Sequence, residues 1–238
     1  MEQVWESRYR EFRGIARYPF DSIVSLVMSE FGGVKNKKTK KILDYGCGGG
    51  NNLWFLVNEG FDAYAVDISI EAFNASKKNL LEFNQKKLSD DRWVLSKVNN
   101  ENLDLPSNEF DAIIDRASLC QSSGVMTQKI VNEFYRILKP GGVYIGINFS
   151  DEHPDIKNAK YLGNGDYGNF KSGIFQNEGS RHFFNVTELI ALFAKYEIEF
   201  IKKMTIQSVY GEIKEKQETS EFILKARKTI TDKNTNNE

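Results

Sequence analysis

Histidine, cysteine and proline are all scarce in this chain of 238 residues, with two, two and four of each. Cys47 and Cys120 stand far apart and in no Cys-x-x-Cys spacing, which excludes a disulfide framework and a cysteine-ligated zinc site and suits a reducing compartment. No cluster of metal-ligand residues is recognisable, so no metal site is assigned. Charge of one sign is missing too: 32 Lys and Arg against 33 Asp and Glu leave a formal net charge of -1. That balance argues against a surface built as a whole to neutralise nucleic-acid phosphates or anionic lipid. No run approaches the roughly 18 to 20 apolar residues of a membrane span. The first ten residues are charged and aromatic where a secretory signal is apolar. These absences point to a cytoplasmic protein with neither a membrane nor a nucleic acid as partner. What remains is an ordinary globular composition, long enough for one large domain or a tight pair.

The first forty residues predict two helices, at 3–12 and 21–31. The second carries Ile23, Val24, Leu26, Val27 and Phe31 on one apolar face behind Asp21 as a cap. Residues 32–41, GGVKNKKTKK, read as a solvated connection. From there, strands at 41–45, 63–67, 93–98, 110–115 and 143–148 alternate with helices at 52–59, 70–83 and 127–138. This alternation predicts a parallel sheet covered on both faces, and right-handed crossovers make it a doubly wound α/β sheet. Residues 151–181 break the rhythm: rich in Gly, Asn, Asp and aromatics, they are too long for a plain connection and read as an active-site lid. A helix at 186–196 capped by Asn185 follows, then strands at 198–208 and 218–226 that form an antiparallel edge hairpin. Residues 227–238 show no apolar period and are expected to be disordered.

The strongest local signal is ILDYGCGGGNN, residues 42–52, an apolar strand ending in Asp44 and then a glycine turn that opens a helix. Glycines there let backbone approach a ligand that side chains would exclude, although the loop alone reads equally as a tight strand-to-helix turn. Asp67 lies 21 residues after Gly46, at the end of the next apolar strand, where a carboxylate can accept two hydrogen bonds from ribose hydroxyls. A dinucleotide loop wants Gly-x-Gly-x-x-Gly or Ala so that a pyrophosphate meets the helix. Here Asn51 holds the third position and the glycines fall at 46, 48 and 50.

DYGCGGG therefore resembles the first motif, D/E-x-G-x-G-x-G, of the class I S-adenosylmethionine-dependent methyltransferases. The resemblance extends in order over residues 40–150. VNNENLDLP, at 98–106, is similar to the family's GDAxxLP segment, FDAIIDRASL to its fourth-strand motif, and LKPGGVYIGIN to its next turn and strand. It implies a Rossmann-like, mostly parallel sheet of seven strands with an antiparallel edge hairpin, and S-adenosylmethionine as cofactor. It also implies cofactor contacts from Asp44, Gly46, Gly48, Gly50, Asp67, Ile68 packed on adenine, Asn99 near the adenine amino group, Asn100 and Asp115. Residues 1–40 become a helical cover over the cofactor, 41–226 the methyltransferase domain, and 227–238 a tail.

The acceptor side is less marked. His153 lies just past the fifth strand and His182 returns from the lid; each reads as a base or substrate contact, or as a structural histidine. Arg116 reads as a ligand for an anionic acceptor, or as an ion-pair partner of Asp115 or Asp111. Tyr9, Arg17 and Tyr18 in the cover, and Tyr161 and Arg181 in the lid, are further substrate candidates. WESRY and ILDYGCGGGNNLWFL are loosely similar to methyltransferases of surface-polysaccharide pathways. That likeness favours O-methylation of a small polar metabolite or of a carbohydrate precursor, at a sugar or phosphoramidate oxygen. The alternatives are an N-methyltransferase of a small amine, a cofactor-binding subunit without turnover, and an NAD-dependent oxidoreductase. The oligomeric state is not legible.

Overall fold

The computed structural model describes residues 2–11, 16–83, 93–97, 102–210 and 218–230. Strand β1 (Lys41–Tyr45) is central, paired in parallel with β2 (Asp62–Asp67) on one side and β4 (Phe110–Arg116) on the other. β3 (Trp93–Lys97) continues from β2 and β5 (Leu138–Phe149) from β4, again in parallel. Beyond β5, β10 (Thr219–Lys228) runs antiparallel to both its neighbours, β5 and the edge strand β9 (Tyr196–Ile206). The order β3-β2-β1-β4-β5-β10-β9 makes the expected seven-stranded, mostly parallel sheet.

Successive strand residues point to opposite faces, and both faces are covered because both are apolar. Ile42, Ala112, Ile114, Ile145 and Ile147 meet Ile23, Val27 and Phe31 of α2 (Asp21–Phe31), Leu53 and Leu56 of α3 (Asn51–Glu59), and Leu80 of α4 (Ile70–Phe83). Leu43, Ile113 and Tyr144 meet Ile130, Val131 and Phe134 of α5 (Gly124–Ile137) and Leu189 of α6 (Val186–Leu192). Asn185 caps α6 as expected, its side chain accepting a hydrogen bond from the Glu188 amide at 2.9 Å. At α2 the cap position falls to Phe20, and Asp21 is the first helical residue.

The structure redraws three expected boundaries. α1 (Glu2–Arg10) packs on α4, whereas α2 is a buried layer of the main core with Ile23 and Val27 fully enclosed. β10 continues to Lys228, past the expected end at 226. Its last turns are held by ion pairs, Arg227 to Glu30 and Glu199, and by Lys228 donating to the Leu138 carbonyl, which apolar periodicity does not register. Residues 231–238 lie outside the described residues. The 151–181 segment is a folded unit: a turn of 3-10 helix (Pro154–Asn158), then a small antiparallel sheet of β6 (Lys160–Gly163), β7 (Asp166–Gly168) and β8 (Arg181–His182). Phe170, Phe175 and Phe183 bury it against Phe149 at the end of β5.

Candidate active site

The chain runs outward from β1 to β3 on one side and then returns to β4 on the other. This reversal between β1 and β4 opens a crevice beyond their carboxyl ends, where doubly wound sheets bind ligands. The loop after β1 turns there through Gly46, Gly48 and Gly50, at φ of 66°, 51° and 79°, in the left-handed region. A Cβ on Gly48 would stand 2.3 Å from the Tyr9 hydroxyl oxygen, so a side chain is excluded by contact as well as by backbone. Asp67 fixes the loop from beneath. Its Oδ2 accepts from the Gly48 amide and its Oδ1 from the Ser69 amide, both at 2.9 Å.

Three carboxylates gather under the loop. Asp44 is 1% exposed, its Oδ2 has no partner, and its pKa is pushed up to about 8 by burial and by the charges of Asp67 and Asp115. Burial also raises Asp67 and Asp115. Such a cluster favours a cation and disfavours an anion. The positive ammonium and sulfonium groups of S-adenosylmethionine suit such a set of carboxylates, and Asp44 Oδ2 is a buried acceptor with no hydrogen-bond partner.

Two cavities open above the loop. The smaller, about 120 Å³, is walled by Tyr45, Gly46, Val66, Asp67, Ile68 and Ser118. The larger, about 640 Å³, is walled by Gly48, Phe20, Phe149, Phe175, Glu178, Arg181 and Glu221. Trp5, Tyr9, Gly46, Arg116, Ala117 and Gln121 belong to both, so the cavities adjoin across these residues. α1 roofs them. Glu6 accepts hydrogen bonds from the Ile70 and Glu71 amides at the start of α4, and Arg8 pairs with Glu178 of the insert. Tyr9 is held neutral, its pKa raised by burial and by Asp67.

The expected residues divide clearly. Gly46, Gly48, Asp67 and Ile68 line the cavities, as do Tyr9, Arg116 and Arg181, while Gly50 faces Ser76 and Asp44 lies just below. Asp115 does not reach them. It is fully buried and spent on the Tyr144 hydroxyl, the Asn148 amide and the Ser118 and Leu119 backbone, so it shapes the loop after β4. His153 is 1% exposed among Phe149, Phe175 and Phe183. Its Nδ1 accepts from the Asp155 amide, and burial lowers its pKa to about 4. His182 is buried between Asp166 and Glu188, 2.8 Å from each. Neither histidine lines either cavity. Arg17, Tyr18 and Tyr161 are exposed and line neither cavity; the 16–20 stretch reaches the larger one through Ala16 and Phe20 instead. Asn99 and Asn100 lie outside the described residues. Arg116 pairs with Glu221 at 2.9 Å, across the sheet, rather than with either expected aspartate. Sequence reasoning missed Trp5, Phe20, Gln121, Phe175, Glu178 and Glu221. The readable signal among them was Glu221, a charge on the inward side of the apolar strand SEFILKA.

Residues 43–146 match the family described as methyltransferase domain. This stretch is similar to a methyltransferase domain. It spans β1 to β5, the parallel half of the sheet, and leaves α1, the insert and the β9–β10 hairpin outside. Over 44% of this chain the sequence is 32% identical to a tRNA N(3)-methylcytidine methyltransferase of Schizosaccharomyces pombe, covering 35% of that protein. The chain spans less than half the length of the curated relatives it matches. The methyltransferase fold extends to nearly the whole chain. A Methanosarcina mazei S-adenosylmethionine-dependent methyltransferase superposes with a TM-score of 0.69 at 18% identity, covering 90% of this chain and all of that one. A Burkholderia thailandensis 1,6-didemethyltoxoflavin-N1-methyltransferase, solved with its substrate and S-adenosylhomocysteine, superposes with a TM-score of 0.66 at 16% identity. There the match covers 96% of this chain and 87% of that one.

Proposed function

We propose that this chain methylates an oxygen of a small polar acceptor held in the larger cavity, with S-adenosylmethionine bound in the smaller one. The observation that carries this reading is the pair of adjoining cavities at the β1/β4 switch point, one beside Asp67 and Ile68, the other walled by aromatics and arginines. When bound, S-adenosylmethionine supplies an activated methyl group. In this reading Asp67 receives the ribose hydroxyls, Ile68 and Val66 flank the base, and the Asp44 cluster favours the positive charges. Trp5, Tyr9 and Phe175 exclude water and orient the acceptor; in well-ordered reactions orientation accounts for about 7–11 kcal/mol of barrier. Arg116 and Arg181 suit an anionic acceptor such as a phosphorylated or phosphoramidate carbohydrate precursor.

NAD is disfavoured, because its pyrophosphate would meet three buried carboxylates. A small-amine acceptor is a second enzyme reading, supported by the N-methyltransferase among the structural neighbours. A roof closed by α1 and the insert favours a small acceptor over RNA, while the tRNA-modifying relative makes tRNA the control to include. Titration calorimetry with S-adenosylmethionine, S-adenosylhomocysteine and NAD in parallel tests the cofactor. Binding of the first two supports the reading and binding of NAD alone overturns it. Transfer of labelled methyl to sugars, sugar phosphates, simple amines and tRNA then tests the acceptor. Labelling confined to tRNA overturns the small-molecule reading, and absence of any transfer by cofactor-bound protein favours a binding subunit.

A further inference from the structure

A buried polar atom without a partner costs roughly 1–3 kcal/mol, so each one in a folded protein calls for a reason. Three of them belong to residues that line the larger cavity: Glu221 Oε2, Arg181 Nε and Gln121 Oε1. Gln121 stands at the seam with the smaller cavity, whereas Glu221 and Arg181 line the larger one only. Both are almost fully enclosed, at 2% and 3% exposure, and each is held by its other polar atoms. Glu221 Oε1 accepts from Arg116 Nη2 at 2.9 Å and, at 3.4 Å, from the Thr219 hydroxyl. Arg181 Nη1 donates to the Glu178 and Ser180 carbonyls at 2.7 and 2.8 Å, and Nη2 to the Glu178 carboxylate at 3.2 Å. The guanidinium is further fixed between Trp5 and Phe175, with ring centroids 5.4 and 5.5 Å away. Each side chain is thus immobilised with one hydrogen-bonding position left over, an acceptor in one and a donor in the other. Both positions are shielded from water, where a matching ligand group is bound strongly and a mismatched one is heavily penalised.

We propose that Glu221 and Arg181 are the acceptor-recognition pair: Glu221 Oε2 receives the hydroxyl of the acceptor and Arg181 Nε holds an anionic oxygen of the same molecule. The substrate class is a small hydroxylated anion, a hydroxy acid or sugar phosphate. An acceptor of this kind satisfies both orphaned atoms at once, while a neutral polyol leaves Arg181 unpaired and a simple carboxylate or amine leaves one of the two unmet. This rests on the methyltransferase reading above, and the two fail separately.

Calorimetry on the full chain with saturating S-adenosylhomocysteine tests it with three sets of probes. Glycerate, 3-phosphoglycerate and glucose 6-phosphate carry both groups; glycerol and glucose carry hydroxyls alone; acetate and sulfate carry anionic oxygens alone, and ethylamine carries neither. Binding confined to the first set is the expected result. In Glu221→Gln and Arg181→Met that binding weakens about tenfold or more, the loss of one hydrogen bond to a charged group, while S-adenosylhomocysteine affinity and circular dichroism stay as in the unmodified protein. Binding of neutral polyols or of ethylamine as tight as that of the first set overturns the proposal. So does absence of binding by every hydroxylated anion, or full affinity in both variants. If S-adenosylhomocysteine itself does not bind the unmodified chain, the cofactor reading fails; if it binds and the probe pattern is wrong, only the recognition pair falls.

Discussion

Asp44 and Asp67 sit on neighbouring strands, yet their chemistry diverges. Asp67 has two backbone donors and faces the smaller cavity, so Asp67→Ala is expected to weaken S-adenosylmethionine binding by about 1.5–3 kcal/mol, the worth of a charge-assisted hydrogen-bonding group. Unchanged affinity in calorimetry would remove Asp67 from the site. Asp44 is sealed, with a pKa pushed to about 8 from an ordinary 3.8, so the folded protein holds its proton at neutral pH. Its stabilising contribution is therefore full in acid and is lost as pH rises from the ordinary value through about 8. A cationic ligand placed beside it drives the carboxyl to ionise, and binding at neutral pH should release a proton. Binding heats should then vary with the ionisation enthalpy of the buffer in the unmodified chain and vary less in Asp44→Asn.

At the scale of elements, His182 explains how a segment that breaks the α/β rhythm stays folded. It joins β7, through Asp166, to α6, through Glu188, and Asp166 in turn accepts from the Gly124 amide at the start of α5. Burial pulls its pKa down, but the hydrogen bonds and charges of Glu188 and Asp166 outweigh burial and leave it raised above the ordinary 6.5. The protonated ring donates to both carboxylates; the neutral ring has one donor only. The clamp's stabilisation is therefore fully present below pH 6.5 and is lost as pH rises through the raised value. Thermal unfolding of Glu- and Asp-clamped wild type against His182→Gln should show a gap of about 1–3 kcal/mol at low pH that narrows on the alkaline side. A gap independent of pH would mean that the histidine acts by packing alone. The helices and strands of residues 41–83 and 110–149 follow their sequence periods closely, because each buries a regular apolar face. The insert was legible only as an interruption, since its cohesion comes from a histidine, two carboxylates and three phenylalanines that follow neither a helical nor a strand period.

Across the whole molecule, stability and site separate in space. Phe61 is fully buried at the amino-terminal end of β2, edge-on to Phe31, at the opposite end of the sheet from the cavities. Phe61→Ala should cost about 3–5 kcal/mol in urea unfolding, a large part of a typical domain's total, with the cofactor affinity of the folded fraction unchanged. A loss of affinity as large as the loss of stability would show that the two ends are coupled. The larger cavity, by contrast, is assembled from α1, β4, the insert and β10, segments separated by as many as 216 positions, between Trp5 and Glu221.

That division marks what the amino-acid sequence determined on its own. The alternation of apolar runs and amphipathic helices specified the doubly wound sheet, and the spacing of Asp44, Gly46, Gly48, Gly50 and Asp67 specified the glycine loop after β1, because both are local consequences of backbone geometry and side-chain period. Which histidines face ligand, which aspartate is spent on its own loop and which arginine finds Glu221 depended on long-range packing. Those outcomes turn on distances of a few ångströms between strands and turns that the fold alone brings together.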